Sequence, residues 1–240
     1  MGGKQIGDEW QVSMEEGDVY CVTGDGTTRG LFDITGTEIT SNKPIGMLSY
    51  HNRTTMPNLL VNGNGRDHMV EMTPPVETWG KKYVTVEYAR NGTNPKAKGD
   101  VFRVISSQPN TTWTLKYYDK KTKKLLGQGG GKLMSAGDFA DLAQATAPSV
   151  LTNGYSVWEA DKPIFVMQYA CSASFDGDDF HDPFMINVVP QEQFIPNTIF
   201  QSPTDPKYMV HKLNLIVWAD TADPNYVDNL KSLEIDGKAV

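Results

Sequence analysis

One short pattern occurs twice in this chain of 240 residues, and it limits the folds that the chain can adopt. From residue 40 the sequence reads TSNKPIGMLSY, and from residue 160 it reads ADKPIFVMQY. The Lys-Pro pairs align at the same shift as Tyr50 and Tyr169, since 162 − 43 = 119 and 169 − 50 = 119. In both copies a polar turn and a Lys-Pro pair lead into an apolar run. This pattern predicts a strand that begins at the proline and is covered on both faces.

Three further blocks repeat in the same order. SMEEGDVY from residue 13 matches LMSAGDFA from residue 133, with Gly17 opposite Gly137 (137 − 17 = 120). DHMVEMTPPVETWG from residue 67 matches DPFMINVVPQEQF from residue 182, with Pro75 opposite Pro190 (190 − 75 = 115). FRVI from residue 102 matches LNLI from residue 213 (213 − 102 = 111). Ordered blocks with slowly drifting shifts predict an internal duplication. We expect a first β repeat at residues 8–125, a second at 126–240, and a linker or cloning remnant at 1–7.

Both predicted repeats consist of short strands joined by turns. Gly (22 residues) and Pro (14 residues) are plentiful, and KKYVTVEYA from residue 81 alternates as a strand does. The sequence therefore predicts an all-β protein made of two β-sandwich halves packed together, and a jelly-roll arrangement of each half stays open. Residues 138–145, DFADLAQA, carry the one helix-like pattern. Four tryptophans fall in strand patterns and are predicted to lie in the core: Trp79, Trp113, Trp158 and Trp218.

The charge balance and the hydropathy pattern exclude several classes of partner. Twenty-nine acidic residues against 22 basic ones give a formal net charge of −7, which argues against binding to nucleic acid, because phosphates require a basic face. No apolar run approaches the ~20 residues of a membrane span, so we expect no membrane insertion by this segment. The start, MGGKQIGDEW, lacks the apolar core of a signal peptide.

Two cysteines, Cys21 and Cys171, allow one disulfide. Each follows an apolar run that contains an aromatic residue. This context favours small buried side chains in or beside strands over a disulfide scaffold. The pairing of the two cysteines stays open, because the sequence does not give the distance between them.

The strongest metal-binding pattern is the acidic stretch DGDDFHD that begins at residue 176. Oxygen-rich loops of this kind bind Ca²⁺, although the spacing does not match an EF-hand. The alternative is a solvated acidic loop without a metal. The candidate calcium ligands are Asp176, Asp178, Asp179 and Asp182.

Motifs for enzymatic chemistry are weak in this sequence. It contains neither an HExxH pair nor a GxSxG elbow. The GQGGGK stretch at residues 127–132 has the wrong spacing for a phosphate-binding loop, and a β-turn is the better interpretation. Glu77 and Glu192 recur at equivalent places in the two predicted repeats. Such recurrence favours a structural role, because one active site rarely uses both copies alike.

Five strings, taken together, resemble a known family: DITGTEITSNKPIGMLSYHN, DHMVEMTPPVETWGKKYV, GDVFRVISSQPNTTWTL, WEADKPIFVMQYACS and DPFMINVVPQEQFIPNTIFQSP. The combination is similar to the amino-terminal domain family of the IgG Fc-binding protein of mucus and its bacterial and invertebrate surface counterparts, from about Asp8 to Val240. The resemblance implies a secreted or surface-displayed, non-enzymatic module for adhesion or for binding proteins or glycans. It implies neighbouring domains in a longer chain, no catalytic residues and no cofactor, with calcium left open.

The two Lys-Pro strands are each followed by a loop, and these loops are the predicted binding surface. The first loop runs from His51 to Arg66 and the second from Ser172 to Asp182. Because the duplication places both loops equivalently, we expect one surface that bridges them. The candidate binding residues are His51, Asn52, Arg53, Asn62, Asn64, Arg66, Phe175, Phe180 and His181.

Two alternatives to a binding module stay open. A structural spacer would have no ligand of its own. A jelly-roll enzyme acting on carbohydrate would need two carboxylates at a glycosidase separation, which the sequence does not supply.

Overall fold

The structure is a computed structural model that describes residues 4–5, 7–24, 33–57, 66–89, 99–142, 154–176, 182–202, 211–217, 219, 222–225 and 233–239. Strands dominate these residues, and the helical content is limited to one four-residue helix and two 3₁₀ turns, so the all-β prediction is confirmed. The strands are β1 (Leu48–Thr54), β2 (Asp67–Met72), β3 (Gly80–Val86), β4 (Val101–Ser106), β5 (Thr111–Asp119), β6 (Leu125–Leu133), β7 (Phe139–Leu142), β8 (Gly154–Tyr169), β9 (Met185–Asn187), β10 (Glu234–Ile235) and β11 (Lys238–Ala239). The helix is α1 (Ala173–Asp176), and the 3₁₀ turns are Val76–Thr78 and Gln191–Gln193.

The 16-residue strand β8 organises a curled seven-stranded sheet. Its first part, residues 154–160, pairs antiparallel with β3 on one edge and with β5 on the other. Its last part, residues 164–169, pairs antiparallel with β4 and β9. β6 extends the sheet beyond β5, and β7 extends it beyond β4. Strand β8 of the second predicted repeat therefore pairs with three strands of the first.

The second Lys-Pro pair lies inside β8 and not at its start, which corrects the prediction for that copy. Pairing with β5 ends at Ala160, and pairing with β4 begins at Ile164. Pro163 falls between these two ladders, where its missing N–H removes no ladder hydrogen bond. The register with β3 also shifts across this region, so β8 changes partners at an irregularity.

The hydrophobic core lies between the two parts of β8 and the strands paired with them. Trp158 is fully buried, and its ring contacts Phe102 at 5.6 Å and Trp113 at 5.8 Å between centroids. Ile164 and Val166 close the core from the other part of β8. The core prediction is confirmed for Trp113 and Trp158. Trp79 is half-buried against Phe165, and Trp218 lies outside the described residues.

The helix-like pattern at residues 138–145 does not form a helix in the part that the structure describes. Residues 139–142 form β7, which pairs antiparallel with β4 from Phe102 opposite Leu142 to Ile105 opposite Phe139. Here the open edge of β4 decides the conformation, because tertiary pairing overrides a weak helical propensity.

The β-turn predicted for residues 127–132 is wrong, because these residues lie within β6. β5 ends at Asp119, and β6 begins at Leu125, so the glycine-rich part is a strand. A Cβ at residue 127 would lie 2.1 Å from the Tyr117 hydroxyl, so a larger residue there would displace that ring.

The first Lys-Pro copy leads into a small two-stranded sheet of β1 and β2. The proline at residue 44 precedes β1, which begins only at Leu48. Leu48 and Tyr50 are exposed, so the prediction of a strand covered on both faces is wrong for this copy. The physical reason is that β1 belongs to a separate two-stranded sheet, and the described residues do not cover the Leu48 and Tyr50 side chains.

Two of the matched sequence blocks form the same local structure. In both the Glu15–Asp18 turn and the Ser135–Asp138 turn, the last backbone N–H donates to the first carbonyl, at 3.1 and 3.2 Å. The aspartate carboxylate of each turn accepts from the first backbone N–H, at 2.8 and 2.7 Å. Each 3₁₀ turn likewise follows a proline, Pro75 or Pro190. The duplication as a whole and the boundary at residue 125 stay predictions.

The two cysteines lie in different surroundings and are not in a disulfide. Cys171 is buried, as predicted, and its thiol donates to the Gly99 carbonyl oxygen at 3.1 Å. The prediction is wrong for Cys21, which is exposed outside any strand, with its Sγ 2.9 Å from the Tyr50 hydroxyl.

Candidate functional site

The described parts of the two predicted binding loops meet at Met56 and Ser172. The Ser172 backbone N–H donates to the Met56 carbonyl oxygen at 2.8 Å, and the Met56 N–H donates to Ser172 Oγ at 2.9 Å. Ser172 is buried and Met56 is half-buried, so water has limited access to these two bonds. The loop after β1 and the loop after β8 are therefore tied together at their bases. We call the surface formed by residues 51–57, 66–67, 172–175 and 182–184 the paired-loop corner.

The first loop begins inside β1, which corrects the predicted loop boundary. His51 pairs with Met69 and Thr54 with Asp67, so one extra residue on β1 produces a β-bulge at Asn52 and Arg53. His51, Asn52 and Arg53 are all exposed. The Arg53 backbone N–H donates to His51 Nδ1 at 3.1 Å, which fixes the imidazole beside the bulge. Arg66, also exposed, directly precedes β2.

The second loop begins with a single helical turn. The Phe175 N–H donates to the Ser172 carbonyl oxygen at 2.9 Å, and the Phe175 side chain is half-buried. Asp182 is exposed where the chain returns. The base of the loop is closed by a bond from the Ala170 N–H to the Phe184 carbonyl oxygen at 2.9 Å.

Several predicted residues lie outside the described part of the chain. They are Asn62, Asn64, Asp178, Asp179, Phe180, His181 and the side chain of Asp176. The described residues contain no group of three His, Cys, Asp or Glu side chains able to hold a metal ion. Because three of the four predicted calcium ligands fall outside them, the calcium site stays a prediction.

The paired-loop corner presents charges of both signs. Arg53 and Arg66 supply guanidinium groups, and Asp67 and Asp182 supply carboxyl groups. The backbone and side-chain hydrogen bonds from His68 lower the pKa of Asp67. This carboxylate therefore stays ionised across the physiological range.

A buried polar cluster beneath the corner was not predicted from the sequence. Asp100 is buried, and its Oδ2 accepts hydrogen bonds from the Tyr88 backbone N–H at 2.9 Å and from Gln168 Nε2 at 2.7 Å. Burial raises the pKa of the Tyr88 hydroxyl, and the carboxylates of Asp100 and Glu71 raise it further. The signal for this cluster was Gln168, a polar residue inside the apolar run of the second Lys-Pro copy.

Tyr88 links this buried cluster to the surface. Its ring lies against the exposed Phe184 ring, with 4.6 Å between the centroids. Its hydroxyl is buried and has no hydrogen-bond partner among the described residues. An aromatic pair therefore stands on the side of the corner where the second loop returns.

Glu192, which recurs in the duplication as the equivalent of Glu77, contacts the backbone of β3. Its Oε1 accepts from the Lys81 N–H at 2.8 Å. A Cβ added at Gly80 would lie 2.5 Å from its Oε2, so the carboxylate fills the space beside that glycine. This packing fits the structural role that the recurrence suggests.

A family model described as IgGFc binding protein matches residues 2–239 of the chain. None of the curated proteins matches it. Among solved structures, the chain is similar to the Anabaena sensory rhodopsin transducer at 15% identity, over 37% of this chain and 84% of that one. The TM-score of 0.27 is too low for that likeness to indicate a shared fold or function. None of the helices in the described residues has the length and apolarity needed to cross a membrane.

Proposed function

The chain belongs to the IgGFc binding protein family, and from this membership we propose that it is an extracellular or cell-surface module for adhesion. Members of this family are binding domains and not enzymes. Within that class, this chain binds a protein or a glycan through the paired-loop corner and acts as one part of a longer protein. The observation that carries the assignment of the site is the pair of hydrogen bonds between Met56 and Ser172.

The hydrogen bonds between Met56 and Ser172 support a single binding surface because they fix the bases of the two loops relative to each other. Binding residues in loops are effective when a rigid scaffold positions them. Here β1 and β8 supply the scaffold, and the hydrogen bonds at Met56 and Ser172 hold the loop bases in register. A partner that contacts both loops then loses less conformational entropy on binding.

The groups at the corner favour a polar partner. The bulge at Asn52 and Arg53 displays an amide and a guanidinium, and Arg66 adds a second guanidinium. Guanidinium groups bind carboxylates in a bidentate geometry. We therefore propose that the partner presents carboxylates, such as an acidic protein patch or an acidic glycan.

Alanine substitutions at the corner test this proposal. The chain is screened on arrays of glycans and host proteins, with the Fc fragment of immunoglobulin G included because the family bears its name. We expect Arg53→Ala and Arg66→Ala each to weaken binding to any hit about tenfold, equivalent to ~1.4 kcal/mol. Lys116→Ala on β5 is the matched control, since it removes an exposed cation elsewhere on the sheet. Equal losses for all three variants would contradict the corner as the site.

The acidic stretch of the second loop is a second part of the proposal. We propose that Asp176, Asp178, Asp179 and Asp182 hold Ca²⁺ and that the bound ion contributes to ligand binding by this loop. Calorimetry with calcium chloride measures this directly on the chain and on an Asp178→Ala, Asp179→Ala variant. We expect saturable heat for the parent chain and its loss in the variant. A variant with unchanged calcium affinity and unchanged ligand binding would overturn this part.

The same screen separates the two alternatives. If no array yields a ligand with or without calcium, the chain is a spacer. Turnover of a glycoside substrate would instead assign it to carbohydrate-active enzymes.

A further inference from the structure

The two strand pairs that follow the Lys-Pro motifs have the same register. In β1 and β2, Leu48 lies opposite Met72, and in β8 and β9, Met167 lies opposite Asn187. The differences, 167 − 48 = 119 and 187 − 72 = 115, equal the shifts read from the sequence blocks. The next two pairs of each ladder agree in the same way. β1 is therefore the structural counterpart of the last part of β8, and β2 is the counterpart of β9.

The counterparts differ on their second edge. The last part of β8 pairs with β9 on one edge and with β4 on the other, where Phe102 lies opposite Gln168 and Val104 opposite Val166. β1 pairs with β2 on the equivalent edge, and no strand of the described residues pairs with its other edge. An open strand edge exposes a row of backbone donors and acceptors that favours pairing with another strand.

The sequence counterpart of β4 is a segment without strand pairing in the described residues. Residues 213–217, LNLIV, align with Phe102–Ser106 at the shift of 111. Leu213, Leu215 and Val217 alternate along this segment and are 48%, 46% and 46% exposed. Their equivalents Phe102 and Val104 are buried in the core. The segment has the period-two apolar pattern of a strand, and its apolar face is exposed to solvent.

We propose that residues 213–217, which are unpaired in this structure, close antiparallel onto the open edge of residues 45–49 of the first Lys-Pro strand, as β4 pairs with β8. Applying the same shifts to the β4–β8 register places Leu213 opposite Ser49, Leu215 opposite Met47 and Val217 opposite residue 45. The first Lys-Pro strand then has a partner on both edges.

Apolar exposure and the position of Asn214 support this occupant over a foreign strand. Ile45, which precedes β1, and Leu48 and Tyr50 on β1 are exposed, and residues 213–217 also carry exposed apolar side chains. Pairing removes apolar surface from water on both segments, at ~25 cal/mol per Å². It also covers an edge that would otherwise favour association between chains. Residue 214 already contacts the first half, since Asn214 Nδ2 donates to the Glu87 carbonyl oxygen at 3.4 Å.

A cysteine cross-link tests the register. Directly opposed residues of antiparallel strands have Cα atoms about 4.5–5.5 Å apart, within the range of a disulfide. Met47→Cys with Leu215→Cys is made in a Cys21→Ser background, which removes the exposed native thiol. We expect a disulfide within a monomer under mild oxidation, about tenfold more than for the control pair Met47→Cys with Ile216→Cys, whose second side chain points to the opposite face.

The other outcomes of the cross-link overturn the proposal. A disulfide-linked dimer would mean that a second copy of the chain supplies the strand. Equal yields for the two pairs, or no cross-link in a folded monomer, would mean that residues 213–217 do not occupy this edge.

Hydrogen exchange on the unmodified chain tests docking without any substitution. We expect the backbone amides of residues 213–217 to exchange at least about tenfold more slowly than an unpaired segment, because docked strands open only by local unfolding. Leu215→Pro removes a ladder donor and should abolish that protection, together with that of residues 45–50. Ile199→Pro, at a 98% exposed position, is the control and should change neither. Exchange of residues 213–217 at the unprotected rate would overturn the proposal.

Discussion

The two copies of the Lys-Pro strand share a sequence pattern and differ in burial. Ile164, which follows the second Lys-Pro pair, is 0% exposed, whereas its equivalent Ile45 is 56% exposed. The second copy is the last part of β8, with β4 and β9 on its edges, while the first copy leads into β1, with β2 on one edge. The comparison shows that an apolar run specifies a strand, and that its neighbours determine how much of it is buried.

The second copy is also fixed by side chains that the first copy lacks. The Tyr83 hydroxyl donates to the Ile164 carbonyl oxygen at 2.5 Å and accepts from the Gly80 N–H at 3.1 Å. Burial raises the pKa of Tyr83 to about 12, so the hydroxyl keeps its proton at neutral pH. In the first copy the contact between the Tyr50 hydroxyl and Cys21 Sγ is at the surface.

The largest predicted difference between the copies is in the core. Ile164→Ala leaves a cavity in a fully buried site, so we expect it to lower the free energy of unfolding by about 2–5 kcal/mol. Ile45→Ala at the exposed equivalent should change it by less than about 0.5 kcal/mol. Urea denaturation of the two variants measures both values. Equal losses would mean that the first copy is buried as deeply as the second.

The second comparison uses the matched glycine turns. Gly17 and Gly137 both have left-handed φ angles, of 90° and 80°. A Cβ at Gly137 would lie 2.6 Å from the Gly36 carbonyl oxygen, whereas a Cβ at Gly17 would meet nothing within 4 Å. We expect Gly17→Ala to cost about 1–2 kcal/mol from backbone strain alone. Gly137→Ala should cost about 1–3 kcal/mol more because of the clash.

Thermal and urea unfolding of the two alanine variants provide the measurement. If Gly17→Ala proves as costly as Gly137→Ala, the first turn must also pack against other backbone. The contrast between a docked second copy and an exposed first copy would then not extend to these turns.

The third comparison removes one tyrosine hydroxyl at each copy, that of Tyr83 in β3, which bonds the second copy, and that of Tyr50 in the first copy. Tyr83→Phe leaves the Gly80 N–H without its acceptor in a buried site, so we expect a loss of about 1–2 kcal/mol in the free energy of unfolding. Tyr50→Phe at the exposed contact with Cys21 should stay within about 0.5 kcal/mol of the parent chain. Chemical denaturation at neutral pH distinguishes the two. A neutral Tyr83→Phe variant would show that this hydroxyl does not stabilise β8.

The smallest predicted effect concerns the ion pair between Arg103 of β4, the strand that pairs with the second copy, and Asp33, which precedes the first copy. Arg103 of β4 donates to Asp33 at 2.7 Å and to Thr35 at 2.6 Å, which anchors the segment before the first Lys-Pro pair. Burial alone would raise the pKa of Asp33, but hydrogen bonds from Thr35 and the charge of Arg103 outweigh it, so the pKa is lowered. The contribution of the Asp33 carboxylate to stability is therefore fully present above its unfolded pKa of about 4. It is lost as the pH falls through the lower pKa of Asp33 in the folded chain.

Asp33→Asn tests this pH dependence. We expect the free energy of unfolding of the parent chain to exceed that of the variant by less than about 1 kcal/mol at pH 7, because the carboxylate is partly exposed to solvent. The difference should shrink as the pH is lowered below about 4. Glu38→Gln, an exposed change nearby, is the control and should show no such trend. A difference between parent and Asp33→Asn that is constant from pH 7 to low pH would contradict the coupling.

The candidate site was predicted from sequence only in part. The position of two loops after two related strands followed from the repeat, and the structure joins their bases at Met56 and Ser172. The β-bulge at Asn52 and Arg53 could not be predicted, because it depends on the register with β2. The hydrogen bond between Gln168 and Asp100 could not be predicted either, because it joins side chains far apart in the chain.

The sequence by itself determined the strand-rich class, the family and the local turns, such as those around Gly17 and Gly137. These properties depend on neighbouring residues, and local patterns encode them directly. Only the tertiary structure decided that β8 continues through its proline, that residues 139–142 are a strand, and that Ile164 is buried while Ile45 is exposed. Each of these outcomes depends on which distant strand pairs with the segment, and pairing is a non-local interaction that no local pattern contains.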